Sequence, residues 1–243
     1  MLASAGAQPP GRVPPNRGAQ PNSGLFQVST LDAFSSGIYG ASMTLAELRQ
    51  HGDFGLGTYE GIDGEMILVD GHFYQMRFDG TMSEASSDAR TPFAVVTMFQ
   101  PQVSLTVKGA TMAQLSELID SVLPSKNLFY AIRVRGAFPV MNTRAISKQF
   151  LPYPPLSTLL PTQSLFTYNN VTGTAVDIRC PAYVSGINQP GHHYHFVSDD
   201  RKGGGHALGF TTGEVTVEIE TLRQHTMWLP ADEPFLRATL PPQ

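Results

Sequence analysis

The chain has 243 residues, of which 15% are charged, and its formal net charge is −4. This balance provides no basic surface for nucleic acid, and no apolar run approaches the roughly 18 residues of a membrane-spanning helix. The single cysteine, Cys180, excludes an intramolecular disulfide framework. A chain with one cysteine is compatible with the reducing cytoplasm, although secretion stays open.

The first 24 residues differ in composition from the rest of the chain. They are rich in Pro, Gly, Ala, Asn and Gln, and their apolar residues are isolated. Such a segment cannot bury enough apolar surface to order itself, so we expect 1–24 to be a disordered leader. It lacks the apolar core of a signal peptide, and the folded part is predicted to begin at Leu25.

The segment 25–150 mixes helical and strand patterns, which predicts a mixed α/β domain. Thr44 can cap a short helix that ends at Gly52, and Glu47 completes a capping box with it. The dipeptide Asp70-Gly71 is typical of a two-residue hairpin turn, because both positions need a positive φ. Strands are predicted over 54–59, 66–77 as a hairpin, 91–99, 103–107 and 128–134.

The clearest helix signal covers 111–123. Thr111 and Gln114 form a second capping box, and Pro124 ends the run. Apolar residues recur at helical spacing, which predicts a core-facing stripe. The stripe consists of Met112, Leu115, Leu118, Ile119 and Val122.

The segment 151–243 begins with several prolines, which indicate a connection between domains. The rest has almost no helical periodicity. Short strands at regular spacing predict an antiparallel sheet or barrel, so the whole chain is predicted to be α+β with two domains. The predicted strands are 164–168, 173–179, 193–198, 207–211, 214–220 and 226–229.

Three histidines in this second segment have the spacing of metal ligands. His193 and His195 are two residues apart, so on a strand both side chains leave the same face. A Gly-rich turn at 203–205 then allows the chain to fold back and present His206 to the same point. Neutral imidazoles suit Zn, Cu, Fe or Ni, and three protein ligands with an open position are typical of a catalytic site. His192 should point away from the pair, in a supporting or surface role.

Four motif blocks occur in order along the chain, and the last carries the three histidines. They are HGDFGLGTY from His51 with IDGEMI from Ile62 and DGHFYQ from Asp70; TPFA from Thr91; FYAIR from Phe129, leading to Thr143-Arg144; and GINQPGHHYHF from Gly186, leading to GGH at 204–206. Together they resemble the α-acetolactate decarboxylase family, and the resemblance covers nearly all of the chain after the leader.

The resemblance implies a zinc-dependent lyase that converts 2-acetolactate to acetoin and CO2, in the route to butanediol. It implies no need for thiamine diphosphate or pyridoxal phosphate. It also implies a homodimer and two domains, here 25–150 as a mixed β-sheet with helices and 151–243 as a β-barrel-like domain that binds the metal.

The same resemblance assigns roles to six residues. Glu65 corresponds to the active-site glutamate near the metal, where it handles a proton or binds the ion. Arg144 corresponds to the arginine of the substrate pocket, and Thr58 lines that pocket. The ligands of one zinc ion per chain correspond to His193, His195 and His206.

One feature departs from the family pattern, and two other functions stay open. Similar enzymes carry a glutamate close to the C-terminus, whereas 237–243 contain no acid; Glu233 is the nearest acid and matches an earlier part of the pattern, so it is not assigned. One alternative is a cupin-like three-His enzyme, a dioxygenase or isomerase that uses Fe or Mn. The other is a non-catalytic, metal-binding member of the family.

Overall fold

A computed structural model describes residues 24–240, so the predicted leader lies outside the described residues except for Gly24. Mixed sheets with few helices make up this part of the chain, which confirms the α+β class. The strands are β1 (Leu25–Val28), β2 (Met43–Thr44), β3 (Phe54–Thr58), β4 (Glu65–Val69), β5 (His72–Met76), β6 (Met82–Glu84), β7 (Arg90–Thr91), β8 (Ala94–Thr97), β9 (Val103–Lys108), β10 (Phe129–Ala145), β11 (Ser164–Arg179), β12 (Tyr194–Ser198), β13 (Gly204–Thr211), β14 (Glu214–Leu222) and β15 (His225–Trp228). The helices are α1 (Leu31–Ser35), α2 (Leu45–Leu48), α3 (Met112–Val122), α4 (Leu156–Leu159) and α5 (Glu233–Arg237).

The first large sheet has seven strands in the order β15-β1-β8-β3-β4-β5-β6. Its neighbouring strands are antiparallel except for β1 and β15, which run parallel. Asp70 and Gly71 join β4 to β5 with φ values of 52° and 80°, as the dipeptide predicts. At the other end of this pair, Glu65 begins β4 directly opposite Thr58 at the end of β3. Two of the predicted site residues therefore lie side by side.

The second large sheet has six strands in the order β11-β12-β13-β10-β14-β9, and β10 also pairs with β11. Both β10 and β11 are long, with 17 and 16 residues, and they pair along nearly their whole length. The prediction of shorter strands, over 128–134, 164–168 and 173–179, is therefore wrong in extent. Gly136 in β10 and Asn170 in β11 have positive φ values, which depart from the usual backbone of a strand. The pairing of β10 with β11 nevertheless continues on both sides of these residues.

Each of the two large sheets takes strands from both sides of residue 150. β15, near the C-terminus, belongs to the first sheet beside β1, while β9 and β10 come from the N-terminal segment and belong to the second sheet. The main apolar core lies between the sheets, where Leu56 and Ile67 of the first share one cluster with Val176 and Ile178 of the second. This packing brings the Glu65 end of the first sheet against β10, β12 and β13.

The helices confirm the predicted capping boxes but only part of the apolar stripe predicted for α3. Both predicted capping boxes are present, Thr44 with Glu47 and Thr111 with Gln114. In α3, Leu115 and Ile119 are buried, but Leu118 and Val122 are 41% and 47% exposed, so the predicted five-residue stripe is too wide. Between residues 24 and 240, every helix is too short or too polar to cross a membrane.

Candidate metal centre

The hairpin of β12 and β13 brings the three predicted histidines together. His195 and His206 are direct cross-strand partners, and His193 precedes β12 by one residue. The Nε2 atom of His193 lies 3.1 Å from Nδ1 of His206, and that Nδ1 lies 3.3 Å from Nε2 of His195. The three ligand atoms lie within 4.8 Å of one another, as a common metal ion requires.

Burial keeps these imidazoles neutral. It lowers the pKa of His193 to about 4, with a further contribution from the positive charge of Arg144. It also lowers the pKa of His195 and of His206 well below the usual value; the neighbouring His193 adds to the effect at His195, and Arg144 adds to it at His206. Neutral imidazole is the form that binds a metal, so the site needs no deprotonation near neutral pH.

The donor atoms fit a divalent ion. Nδ1 of His195 is 2.8 Å from the carbonyl oxygen of Met66, which can only accept, so this nitrogen carries the hydrogen and Nε2 keeps a lone pair. Nδ1 of His206 faces two nitrogens, Nε2 of His193 and Nε2 of His195. One hydrogen at Nδ1 can form a hydrogen bond with only one of them. Among residues 24–240, at least one of these facing lone pairs therefore has no hydrogen to accept, and a cation among the three nitrogens would satisfy it. Such a set of imidazoles suits Zn, Cu, Fe or Ni.

Glu65 lies beside these imidazoles and pairs with Arg144. Its Oε1 atom accepts a hydrogen bond of 2.7 Å from Nη1 of Arg144, and its Oε2 atom lies 3.6 Å from Nε2 of His195. The residue is only 5% exposed, and burial raises the pKa of its carboxyl while Arg144 opposes that rise. One carboxylate oxygen is thus held by a cation, and the other faces the histidines.

Arg144 reaches the site because β10 pairs with β13. It is the direct cross-strand partner of His206, so both side chains leave the sheet at one point. Gly205 makes this approach possible: with φ at 123°, a Cβ atom there would lie 2.6 Å from the carbonyl oxygen of Arg144. Any other residue would push β13 away from β10 beside the site.

Thr58 lies at the rim of the same group. Its hydroxyl donates a 2.6 Å hydrogen bond to the carbonyl oxygen of Gly64, and the side chain is buried. The bond holds the turn that immediately precedes Glu65, and it leaves the Thr58 oxygen able to accept a hydrogen bond. Thr58 therefore lines the cavity and holds the backbone next to Glu65.

All six predicted residues line one cavity of about 580 Å³. This volume is in the usual range of small-molecule sites. Its apolar side was not predicted from the sequence, because its residues lie far apart in the chain and converge here only through tertiary packing. That side includes Leu31, Phe34, Phe93, Ile146, Leu156 and Leu160.

The C-terminal acid that the sequence left unassigned lies elsewhere. Glu233 begins α5, is exposed and pairs with Arg237 at 2.7 Å. Neither residue is among those that line the cavity. Among residues 24–240, the carboxylate that faces the three histidines is Glu65.

Comparison with known proteins places this geometry in a family. The family model described as alpha-acetolactate decarboxylase matches residues 25–242. The chain is 40% identical to the alpha-acetolactate decarboxylase of Methanosarcina mazei, over 89% of this chain and 75% of that protein, and 40% identical to that of Raoultella terrigena, over 91% and 86%. The crystal structure of acetolactate decarboxylase from Bacillus subtilis subspecies spizizenii is 38% identical with a TM-score of 0.88, covering 90% of this chain and 95% of that one.

Proposed function

The chain belongs to the alpha-acetolactate decarboxylase family, and we propose that it is a carboxy-lyase that converts 2-acetolactate to acetoin and CO2. The observation that carries the proposal is the convergence of three neutral imidazoles on the buried Glu65–Arg144 pair inside one cavity. We assign His193, His195 and His206 as ligands of a single zinc ion in each chain.

The substrate itself explains why a metal suffices. 2-Acetolactate has a ketone next to the carbon that carries both the carboxylate and a hydroxyl. When the bond to the carboxylate breaks, its electron pair moves toward the ketone and forms an enediolate, and CO2 leaves. A divalent ion, when bound by the three imidazoles, supplies a Lewis acid for the oxygen atoms that take up this charge. We therefore propose that neither thiamine diphosphate nor pyridoxal phosphate is needed.

Arg144 orients the substrate and balances its charge. A guanidinium has a planar fork of donors and a permanent positive charge, which suits a carboxylate or an enediolate oxygen. One donor of Arg144 is already used by Glu65, which fixes the direction of the fork. The remaining donors are available to the substrate, because Arg144 lines the cavity.

Glu65 supplies the proton that completes the product. After CO2 leaves, the carbon that carried it must gain a proton to become the hydroxyl-bearing carbon of acetoin. A carboxyl whose pKa is raised by burial holds a proton more readily near neutral pH than an exposed one. We assign this proton to Oε2, which faces the histidines rather than Arg144. Direct ligation of the metal by the same atom is the alternative that the variants below distinguish.

The wider assignments belong to the same proposal. We propose a homodimer in the cytoplasm, with a place in the formation of acetoin and butanediol. The closed circuit of pairing through β10, β11, β12 and β13 supports a barrel-like second domain, while the boundary at residue 150 stays a prediction. Membership of the family does not favour the cupin-like enzyme or the non-catalytic protein.

The decisive experiment is the release of acetoin from racemic 2-acetolactate. The full chain should release acetoin and CO2, lose this activity after treatment with a chelator, and regain it when zinc is added. If the zinc-loaded protein releases no CO2, the non-catalytic alternative replaces the proposal. Oxygen-dependent turnover with bound iron would instead support the cupin-like enzyme.

A further inference from the structure

We propose that Asp177, on β11, is a positioning residue that holds the backbone of His193 so that its imidazole reaches the other two. This inference rests on the proposed three-histidine metal site. Asp177 is fully buried, and its two oxygens have different partners. Oδ1 accepts a 3.0 Å hydrogen bond from the backbone N–H of His193, and Oδ2 lies 2.6 Å from Nδ1 of His192.

His193 needs this support more than the other two ligands do. His195 and His206 lie within paired strands, and Nδ1 of His195 is held by the carbonyl oxygen of Met66. His193 precedes β12, and its buried Nδ1 atom has no hydrogen-bond partner among the described residues. Because no acceptor orients its ring, the direction of the His193 side chain depends on how its backbone is held.

The ladder between β11 and the segment before β12 is altered at this residue. Cys180 and Gly191 exchange both backbone hydrogen bonds, so two residues further on Ile178 and His193 should also exchange two. Ile178 does donate to the carbonyl oxygen of His193 at 3.2 Å. The N–H of His193, however, is bound by the carboxylate of Asp177 instead. A side chain thus replaces a ladder bond where the ligand leaves the sheet.

Asp177 is itself held in a buried polar network that reaches α3. Nε2 of His192 lies 3.5 Å from Oδ1 of Asp120 on that helix, and the same oxygen accepts a 2.9 Å hydrogen bond from Nε of Arg179. The hydroxyl of Tyr194 lies 3.3 Å from Nδ1 of His192. These contacts hold His192, the partner of Asp177 Oδ2, and a buried carboxylate without partners would be strongly unfavourable.

The test compares Asp177→Ala with Asp177→Asn in the full chain. The protein is stripped of metal with a chelator and titrated with Co²⁺, whose visible absorption reports the geometry of its ligands. Asp177→Ala removes the acceptor for the His193 N–H, so we expect about 10–100-fold weaker Co²⁺ binding and an altered spectrum. Asn keeps an oxygen acceptor, and its amide can donate to Nδ1 of the other tautomer of His192. Asp177→Asn should therefore retain most of the affinity and the wild-type spectrum.

The matched control is Asp53→Ala. Asp53 also binds a distant backbone N–H, that of Phe99 at 2.8 Å, but it does not line the cavity. The Asp53→Ala substitution should lower the Tm without changing the Co²⁺ affinity or the Co²⁺ spectrum. A folded Asp177→Ala protein that binds Co²⁺ like the wild type would overturn the inference, and so would an Asp177→Asn protein as weak as the alanine variant.

Two further outcomes keep the inference separate from the proposed function. If the wild-type chain binds no Co²⁺, the metal site fails, and the positioning role fails with it. If Asp177→Ala does not fold, Asp177→Glu takes its place, since one extra methylene displaces the carboxylate from the His193 N–H. A shifted spectrum in that variant supports the role of Asp177, whereas wild-type affinity with an unchanged spectrum refutes it.

Discussion

Glu65 and Glu220 are both buried glutamates, with exposed fractions of 5% and 0%, but their surroundings differ. Glu65 has Arg144 at 2.7 Å on one oxygen and His195 at 3.6 Å from the other. Glu220 accepts one hydrogen bond of 3.1 Å from the backbone N–H of Gln100, and its Oε1 atom has no partner among the described residues.

The difference teaches that burial alone does not identify a functional carboxylate. Burial raises the pKa of both groups, and at Glu220, where the negative charge of Asp53 adds to the effect, the value reaches about 7. Glu65 combines burial with a cation and an open cavity, so its raised pKa can serve a reaction. Among the described residues, Glu220 has no cation beside it and does not line that cavity. Because burial disfavours its charged form, the free energy of unfolding should fall when it ionises.

The largest expected effect is at the metal site. His195→Ala leaves two imidazoles, which hold a divalent ion poorly, so metal should be lost. Activity should fall by more than the about 10²–10⁴-fold expected for the loss of a general acid. Elemental analysis and acetoin release measure both effects. His72→Ala, at an exposed histidine that pairs with Glu84, is the control and should keep metal and activity. Full metal occupancy in His195→Ala would refute the site.

The contrast between the two glutamates is tested directly by Glu65→Gln and Glu220→Gln. Glu65→Gln should lower kcat about 10²–10⁴-fold with metal retained, because the amide cannot deliver the proton. Glu220→Gln should leave kcat nearly unchanged. Loss of metal together with activity in Glu65→Gln would instead assign Glu65 as a ligand. Equal losses in both variants would remove the distinction between the two carboxylates.

The role of the cation beside Glu65 is tested by Arg144→Lys. Lysine keeps the charge but lacks the planar fork, so kcat/KM should fall about 10²–10³-fold while metal stays bound. Arg133→Lys is the control, since Arg133 binds Glu218 at 2.7 Å and does not line the cavity. Near-normal kinetics of Arg144→Ala would exclude Arg144 from the site.

The stability effect of Glu220 should depend on pH. Its pKa in the folded chain, about 7, is above its ordinary value of 4.5, so its ionisation lowers the free energy of unfolding as pH rises between these values. Glu220→Gln should therefore match the wild type near pH 4.5 and exceed it above pH 7, by on the order of 3 kcal/mol. Urea unfolding at several pH values measures the difference. The exposed Glu214→Gln on the same strand is the control, and a difference independent of pH would contradict the prediction.

The smallest effect is expected at the C-terminus. A chain that ends at Phe235 loses Leu236, which is 70% exposed, and the exposed pair between Arg237 and Glu233. Because none of these residues lines the cavity, acetoin release should change little. If truncation abolished decarboxylation but left the fold and the metal intact, residues 236–243 would supply a necessary group.

Local signals in the sequence were sufficient to predict the features that depend on a few neighbouring residues. The capping boxes at Thr44 and Thr111, the turn at Asp70-Gly71 and the spacing of His193 and His195 each depend on a few neighbouring residues. The roles proposed for Glu65, Arg144 and Thr58 came from the family resemblance, because an isolated glutamate or arginine has no local signature.

Only the tertiary structure decided which distant residues meet. Glu65 and Arg144 are 79 residues apart in sequence and touch because two sheets pack face to face. β10 and β11 continue through residues with positive φ because pairing with each other holds both strands. Asp177 on β11 reaches His193 because the segment before β12 lies beside β11. Strand register and sheet packing depend on the burial and pairing of many residues together. The pattern at any single position in the sequence therefore does not predict them.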